Sequence, residues 1–402
     1  MPINQNCRLM KKLFITIIFS LVVLGTYAQK SNLKGAQKAL KKKDYATAID
    51  LGQQAKADKE TGANPQLYVI LGTAYLYQFK DNKTEVSLAQ QSYDEFQKAI
   101  TLGGEKVKSK VMEEVIVNAE GERLGGGEGL MFLQNMLNVQ GNIYFEAEDY
   151  ATAYDYFLIS SNIMPDDVVM TFYVGYCAYE SKKDEVAITY YQKVLKLNEA
   201  APEEAKFANL GFVFRGLIDI YFARQQDYDN ALKYIAMAKE AFPEEKVYKD
   251  IEIDVLIRAD KLDEAISQLE KVNDSGNGTV NTYAMLSRLQ FNNDKMKEAL
   301  EAAEAALALD PNQYDALNIA GSVHFNEANN TDPSDMATYD KLIKEAKDKF
   351  RIAMPLFEKA LEQMPDDTYS LDPLSTIYDQ LDMDDKRDAV LAKLKELEGG
   401  DQ

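Results

Sequence analysis

The chain has 402 residues, 46% hydrophobic and 27% charged, and its 45 Lys and Arg against 65 Asp and Glu leave a formal charge of −20. Such an excess of carboxylates argues against nucleic acid and anionic lipid as partners, because both are polyanions, and it favours solubility. A lone histidine, His324, does not suffice for a zinc site or a catalytic triad without companions, and two cysteines, one of them in a segment expected to be removed, leave no internal disulfide.

Residues 10–28, MKKLFITIIFSLVVLGTYA, open with Lys11 and Lys12, continue as an apolar run from Leu13 to Leu24, and place small Thr26 and Ala28 at the spacing a signal peptidase reads. The run is shorter than the roughly 18 apolar residues a bilayer span needs. Residues 1–28 are therefore expected to be a secretory signal peptide, with Met10 an alternative start and Gln29 the first mature residue. No cysteine follows the apolar run, so a lipoprotein anchor is not indicated. The expected product is exported, periplasmic or associated with the outer envelope, and not inserted in a membrane after cleavage. Its charge falls to −23, since Arg8, Lys11 and Lys12 are lost with no acid.

Residues 29–102 read as two helical hairpins. The first, KGAQKALKKKDYATAIDLGQQA, has Ala48 as the small residue of its second helix, and Lys41 to Lys43 suit a solvated helix end. The second begins at Pro65 with LYVILGTAYLY around Gly72 and continues with SYDEFQKAITL. Ser92 lies 20 residues after Gly72, where the next hairpin has Ala153 12 residues after Gly141, so about eight extra residues over 80–87 are expected to lengthen the hairpin turn.

Residues 103–129 leave the pattern. An extra helix is predicted over 105–119, followed by a glycine-rich connection, GERLGGGEG from Gly121. A phosphate-cradling loop needs Lys and Ser or Thr after its glycines, whereas Gly127 is followed by Glu128, so the segment reads as a linker.

The pattern resumes at Leu137 with LNVQGNIYFEAEDYATAYDYFLISSNIMP, two short amphipathic helices stopped by Pro165. The small residue of its second helix returns at a fixed interval: Ala153 to Ala187, Ala231 to Ala265 and Ala265 to Ala299 are each 34 residues. Residues 130–366 thus hold six units, numbered three to eight, with a step of 44 between Ala187 and Ala231 that predicts a long first helix over 203–224. In the eighth unit Gly321 and Ala353 are 32 residues apart, so residues 329–349 are an insertion, with NNTDPSD as a turn, a helical extension after it, and Pro355 kinking the second helix. Residues 367–402 read as capping helices. His324, at the phase of Tyr75 and Tyr144, reads as a core residue, as does Cys177. The acid groups at Asp366 and Asp367, and at Asp382, Asp384 and Asp385, read as solvated helix starts.

The segments GNIYFEAEDYATAYDYF from Gly141, YVGYCAYESKKDEVAITYYQKVLKL from Tyr173, DYDNALKYIAMAKEAFP from Asp227, KLDEAISQLEKV from Lys261 and KMKEALEAAEAALALDP from Lys295 together resemble the tetratricopeptide repeat family. The family's first-helix Trp is not used, and Asp219, Ile253 and Ser287 replace its first-helix Gly in three units. The resemblance implies an all-α, right-handed superhelical solenoid of helix-turn-helix repeats, non-catalytic and without cofactor or metal, binding a protein or peptide segment through the concave face lined by first helices. Carried over by position, the groove residues run from Val69, Thr73, Leu76 and Tyr77 in unit two to Asn318, Ser322, Phe325 and Asn326 in unit eight. Asn142, Phe145, Tyr176, Tyr179, Arg224, Arg258, Arg288, Phe291, Asn292 and Phe325 form the candidate binding set, by their aromatic, amide and guanidinium chemistry. Arg224 and Arg258, 34 residues apart, are expected either to neighbour one another as a cationic ridge or to pair with the chain's own acids. The alternative is a glycan-binding protein or enzyme whose pocket is built from the insertions at 80–87, 103–129 and 329–349.

Overall fold

The computed structural model describes residues 31–118, 122–330 and 339–399, so the expected signal peptide and most of the NNTDPSD turn lie outside the described residues. The chain divides into two compact units at Gln225.

The first unit contains α1 (31–41), α2 (Tyr45–Lys56), α3 (Pro65–Asp81), α4 (Val86–Val111), strands β1 (Val115–Val117) and β2 (Arg123–Gly126), α5 (Leu130–Glu146), α6 (Tyr150–Ile163), α7 (Val168–Glu180), α8 (Asp184–Ala200) and α9 (Leu210–Asp219), which ends in a π turn, Ile220–Arg224. Helices pair as antiparallel hairpins, and one contact explains the pairing. A Cβ on Gly72, Gly141 or Gly175 would fall within 3 Å of the ring of Phe96, Phe157 or Tyr191, four residues beyond Ser92, Ala153 and Ala187. Each bare first-helix backbone therefore admits a large ring from the second helix. Phe96, Phe157 and Tyr191 are almost fully buried, and burying such a side chain stabilises by about 1.5–3 kcal/mol. In the second hairpin the Ser92 hydroxyl also donates to the Gly72 carbonyl at 2.9 Å.

The hairpin turns share a second device. Lys43, Glu148, Lys182, Gln226, Asp260 and Asp294 all take positive φ, each five residues before the small residue of its second helix. A single left-handed residue reverses the chain within three or four residues. Asp44, Asp149 and Asp227 then cap the second helix by accepting from the backbone N–H three residues on.

Three expectations need correction in this unit. The extra residues at 80–87 do not lengthen the turn: α3 runs to Asp81 and α4 starts at Val86, so both helices gain about one turn and only residues 82–85 connect them. The helix predicted over 105–119 stops at Val111, after a break at Gly104, and an antiparallel ribbon follows, with Val115 opposite Gly126 and Ile116 opposite Gly125. Among the described residues the fold is thus all-α except for this ribbon. Its glycines serve backbone contact, because a Cβ at Gly127 or Gly129 would lie 2.5 Å from the Glu113 carbonyl or 2.1 Å from the Val111 carbonyl. The long first helix predicted over 203–224 begins only at Leu210: α8 uses 17 residues and a 3₁₀ turn at Glu203–Ala205 fills the connection.

The second unit contains α10 (Tyr228–Ala241), α11 (Val247–Arg258), α12 (Leu262–Val272), a π turn (Asn273–Asn277), α13 (Val280–Asn292), α14 (Met296–Leu309), α15 (Tyr314–Asn329), α16 (Tyr339–Gln363), α17 (Thr368–Gln380) and α18 (Asp384–Gly399). Where Gly is replaced, the opposing residue shrinks. Ile253 shares a core cluster with Leu269 rather than a ring, and the position equivalent to Leu269 opposite Ser287 is Ala303. Gly321 returns to the large partner, Phe357. The insertion at 329–349 contributes its last residues to α16, which continues through Pro355 without ending, held on either side by buried Phe350, Ala353 and Phe357. Asp367 caps α17, and none of the described side chains of α18 is buried.

Candidate functional site

In the first unit, α5 and α7 bring the predicted aromatics together. Phe145 lies 5.1 Å from Tyr173, 5.6 Å from Tyr176 and 5.4 Å from Tyr150 by ring centroids, and Tyr176 lies 5.8 Å from Phe172. Phe145, Tyr150, Tyr173 and Tyr176 are only half-buried, while Asn142, one turn before Phe145, is exposed. The result is a surface of ring edges and faces fixed by mutual contact, with the Asn142 amide at its margin. Such a surface loses little side-chain freedom on binding. Burial, with the Glu180 carboxylate and Tyr150 nearby, pushes the Tyr176 hydroxyl up to about 12, so it stays neutral and able to donate.

Tyr179 and Arg224 play another part. The Tyr179 hydroxyl donates to Asp219 at 2.8 Å, Arg224 pairs with Asp184 at 2.7 Å and with Asp219 at 3.0 Å, and the guanidinium carbon sits 4.1 Å from the Tyr179 ring centroid. Arg224 is thus engaged by acids of its own unit, the pairing alternative offered by the sequence.

In the second unit Arg258 is exposed on α11, Arg288 is half-exposed with Asp315 at 4.0 Å, and Asn292 is exposed beyond half-buried Phe291. Phe325 packs on Phe350 at 5.8 Å, inside the cluster joining α15 to α17. His324 is 12% exposed and turns Nδ1 toward Glu327, which Lys349 also engages.

Two features were missed from sequence. Phe207, 5.0 Å from Phe172, extends the aromatic surface from a connection that read as helix. A groove of about 740 Å³ also opens among α11, α12 and α13, with Ile253, Leu269 and Met285 as its apolar wall and Lys246, Lys249 and Lys271 around it. Its signal was the run DSGNG, which ends α12 in a π turn with Gly276 at positive φ. Among the described residues no three His, Cys, Asp or Glu side chains gather as metal ligands, and no helix is long and apolar enough to cross a membrane.

The family model of the tetratricopeptide repeat matches residues 138–205 and 284–349. No curated protein matches the chain significantly. Similar solved structures include a tetratricopeptide repeat protein from Parabacteroides merdae, 14% identical, covering 74% of this chain and 99% of its own, with a TM-score of 0.26. YrrB, a TPR protein with an unusual peptide-binding site, is 19% identical over 54% of this chain and 95% of its own, with a TM-score of 0.37. The C-terminal part of a TPR repeat-containing protein from Cytophaga hutchinsonii is 16% identical over 71% and 98%, also with a TM-score of 0.37. With small first-helix residues locked under second-helix rings at a fixed spacing, and residues 138–205 and 284–349 matching the family model, those two stretches are tetratricopeptide repeats.

Proposed function

We propose that the protein is a non-catalytic scaffold of the cell envelope that holds a protein or peptide segment on the first-helix faces of its repeats. The observation that carries this reading is the half-buried aromatic surface of Phe145, Tyr150, Tyr173 and Tyr176, with the exposed amide of Asn142 beside it. Apolar rings held in place by one another give contact area at low entropic cost, and an amide at the rim pairs with a peptide backbone. Asn292, Arg288 and Arg258 offer polar contacts on first helices of the second unit. Export is inferred from the basic start and apolar run of residues 10–28.

A photo-crosslinking amino acid placed at Phe145, Tyr176 or Asn142, and as control at exposed Met237 on a second helix, tests the reading in the native host. Protein adducts at the first three positions and none at Met237 are expected. Equal labelling at all four, or none at any, overturns it. Separately, fractionation that leaves the protein in the cytoplasm removes the envelope assignment.

A further inference from the structure

The two most exposed large hydrophobic side chains among the described residues are Leu124, 69% exposed, and Ile116, 62% exposed, and both lie on the ribbon. Among the described residues the ribbon has two strands only, so β1 has an open edge there. Gly127 N–H donates to the Glu114 carbonyl. Bonded and unbonded positions alternate along an antiparallel pair, so Val115, opposite Gly126, turns its own N–H and C=O to the open side. An edge left like this is a template for another strand unless charge or a cover blunts it.

The surroundings state what that strand carries. Glu113 and Glu114 are exposed at the start of β1. The nearest ribbon cation, Arg123, is already committed to Glu128 and to the Gly126 and Gly127 carbonyls. A polar pocket of about 340 Å³ adjoins the strand, lined by Glu114, Val115, Met131, Gln134, Asn135 and Asn138. Gln134 is only 7% exposed, and the Asn135 Oδ1 is buried without a hydrogen-bond partner among the described residues. An unmet acceptor beside a carboxylate fits a donor that is cationic.

We propose that β1 is a docking strand for an extended segment of a partner protein in which apolar and lysine residues alternate. The segment adds beside Val115–Val117 by main-chain hydrogen bonds, lays an apolar side chain against Ile116, and places a lysine ammonium in the pocket lined by Glu114 and Asn135. The proposal rests on the scaffold reading but uses a surface separate from the aromatic one. A second copy of this chain is disfavoured as the occupant by its charge of −20.

The test uses the full chain and a fluorescent peptide of alternating valine and lysine. Controls are the same peptide with glutamate for lysine and one N-methylated at alternate main-chain amides. Saturable binding is expected, weakened by about ten-fold or more in both controls and in I116D, because each removes one component of strand addition. E114Q should weaken the lysine peptide while leaving the fold untouched, and Tyr176→Ala should leave binding unchanged. No saturable binding, or equal binding of the N-methylated peptide, overturns the proposal. So does a concentration-dependent dimer of the unliganded protein that I116D abolishes, which would assign the edge to a second copy. Loss of crosslinking at Tyr176 with peptide binding intact would instead remove the aromatic surface and leave the docking strand standing.

Discussion

The guanidinium carbon of Arg224 lies over the ring of Tyr179, 4.1 Å from its centroid, while the Tyr179 hydroxyl and the Arg224 Nε converge on the same Asp219 carboxylate. Arg224 is 17% exposed and also reaches Asp184 at the start of α8, so it ties the π turn after α9 to the α7–α8 hairpin. Replacing it with Gln leaves two partly buried acids without their cation. We expect a loss of about 2–3 kcal/mol, below the full cost of breaking a buried pair because water still reaches the site. Arg224→Lys should recover less than half of this, since an ammonium cannot pair along two edges and stack. Urea unfolding checks both; wild-type stability in Arg224→Gln rejects the strut.

Gly141 predicts a conflict between two energies. Ala is the better helix former by about 1 kcal/mol, but its Cβ would lie 2.7 Å from the Phe157 ring, which is fully buried and stacked on Tyr173 at 5.1 Å. The ring has no room to retreat, and overpacking of this kind costs about 1–3 kcal/mol. Gly141→Ala should therefore destabilise, and Gly141→Ala with Phe157→Leu should regain part of the loss, reproducing the Ile253 and Leu269 arrangement of α11 and α12. A double mutant no more stable than the single one rejects the size exchange.

The reach of sequence reading follows from the same contacts. Hairpins were legible because one small residue every 34 positions faces one large one, a pattern carried by side chains. The ribbon was not, because strands of three and four residues are specified by backbone pairing and by glycines that admit carbonyls, and GERLGGGEG offers no alternating pattern. The extension of α3 and α4 read as loop because a register count locates extra residues without saying whether they are helical. Of the candidate site, Phe145 and Tyr176 follow from phase and do meet. The engagement of Arg224 could not be read, since Asp184 lies 40 residues away across the 44-residue step where the period breaks.

The turns escaped notice for a related reason, as none of their left-handed residues is glycine. Glu148 has φ of 60° and is exposed. A side chain there opposes its own backbone, so Glu148→Gly is expected to stabilise by about 0.5–1 kcal/mol after the entropy of the unfolded chain is counted. Glu148→Val should destabilise by about 1–2 kcal/mol, as β-branching is least tolerated at positive φ. Opposite signs in thermal unfolding support the turn geometry, and equal effects reject it.

Acid should loosen the α17–α18 hairpin. Burial alone would raise the Glu358 carboxyl, but Lys386 at 2.7 Å and the donated Tyr378 hydroxyl at 2.8 Å outweigh it and hold it below its ordinary value. A carboxylate depressed in the folded state contributes stability above its unfolded pKa and loses it as pH falls through the folded one. Glu358→Gln should therefore speed amide exchange in α17 at pH 7, by an amount equivalent to about 1 kcal/mol given the exposure of Lys386. The difference from wild type should vanish only below about pH 4. A difference that is gone by pH 6 rejects this assignment.

Cys177 offers an internal reporter for the first unit. It is fully buried on α7, and burial first, then the Glu180 carboxylate, pushes its thiol up to about 12 against the smaller opposing effect of Lys183. Only the thiolate reacts with alkylating reagents, so at pH 8 the native protein should label far more slowly than the urea-unfolded chain, through openings that expose the sulfur. Labelling then measures how often α7 separates from its neighbours. Because Arg224 engages Tyr179 on α7 and Asp184 on α8, Arg224→Gln should raise the native labelling rate, by about ten-fold for each 1.4 kcal/mol removed from the opening energy. Glu358→Gln, in the other unit, should leave it unchanged. Fast labelling of the native wild type contradicts the burial of Cys177, and equal acceleration by both variants contradicts the separate opening of the two units.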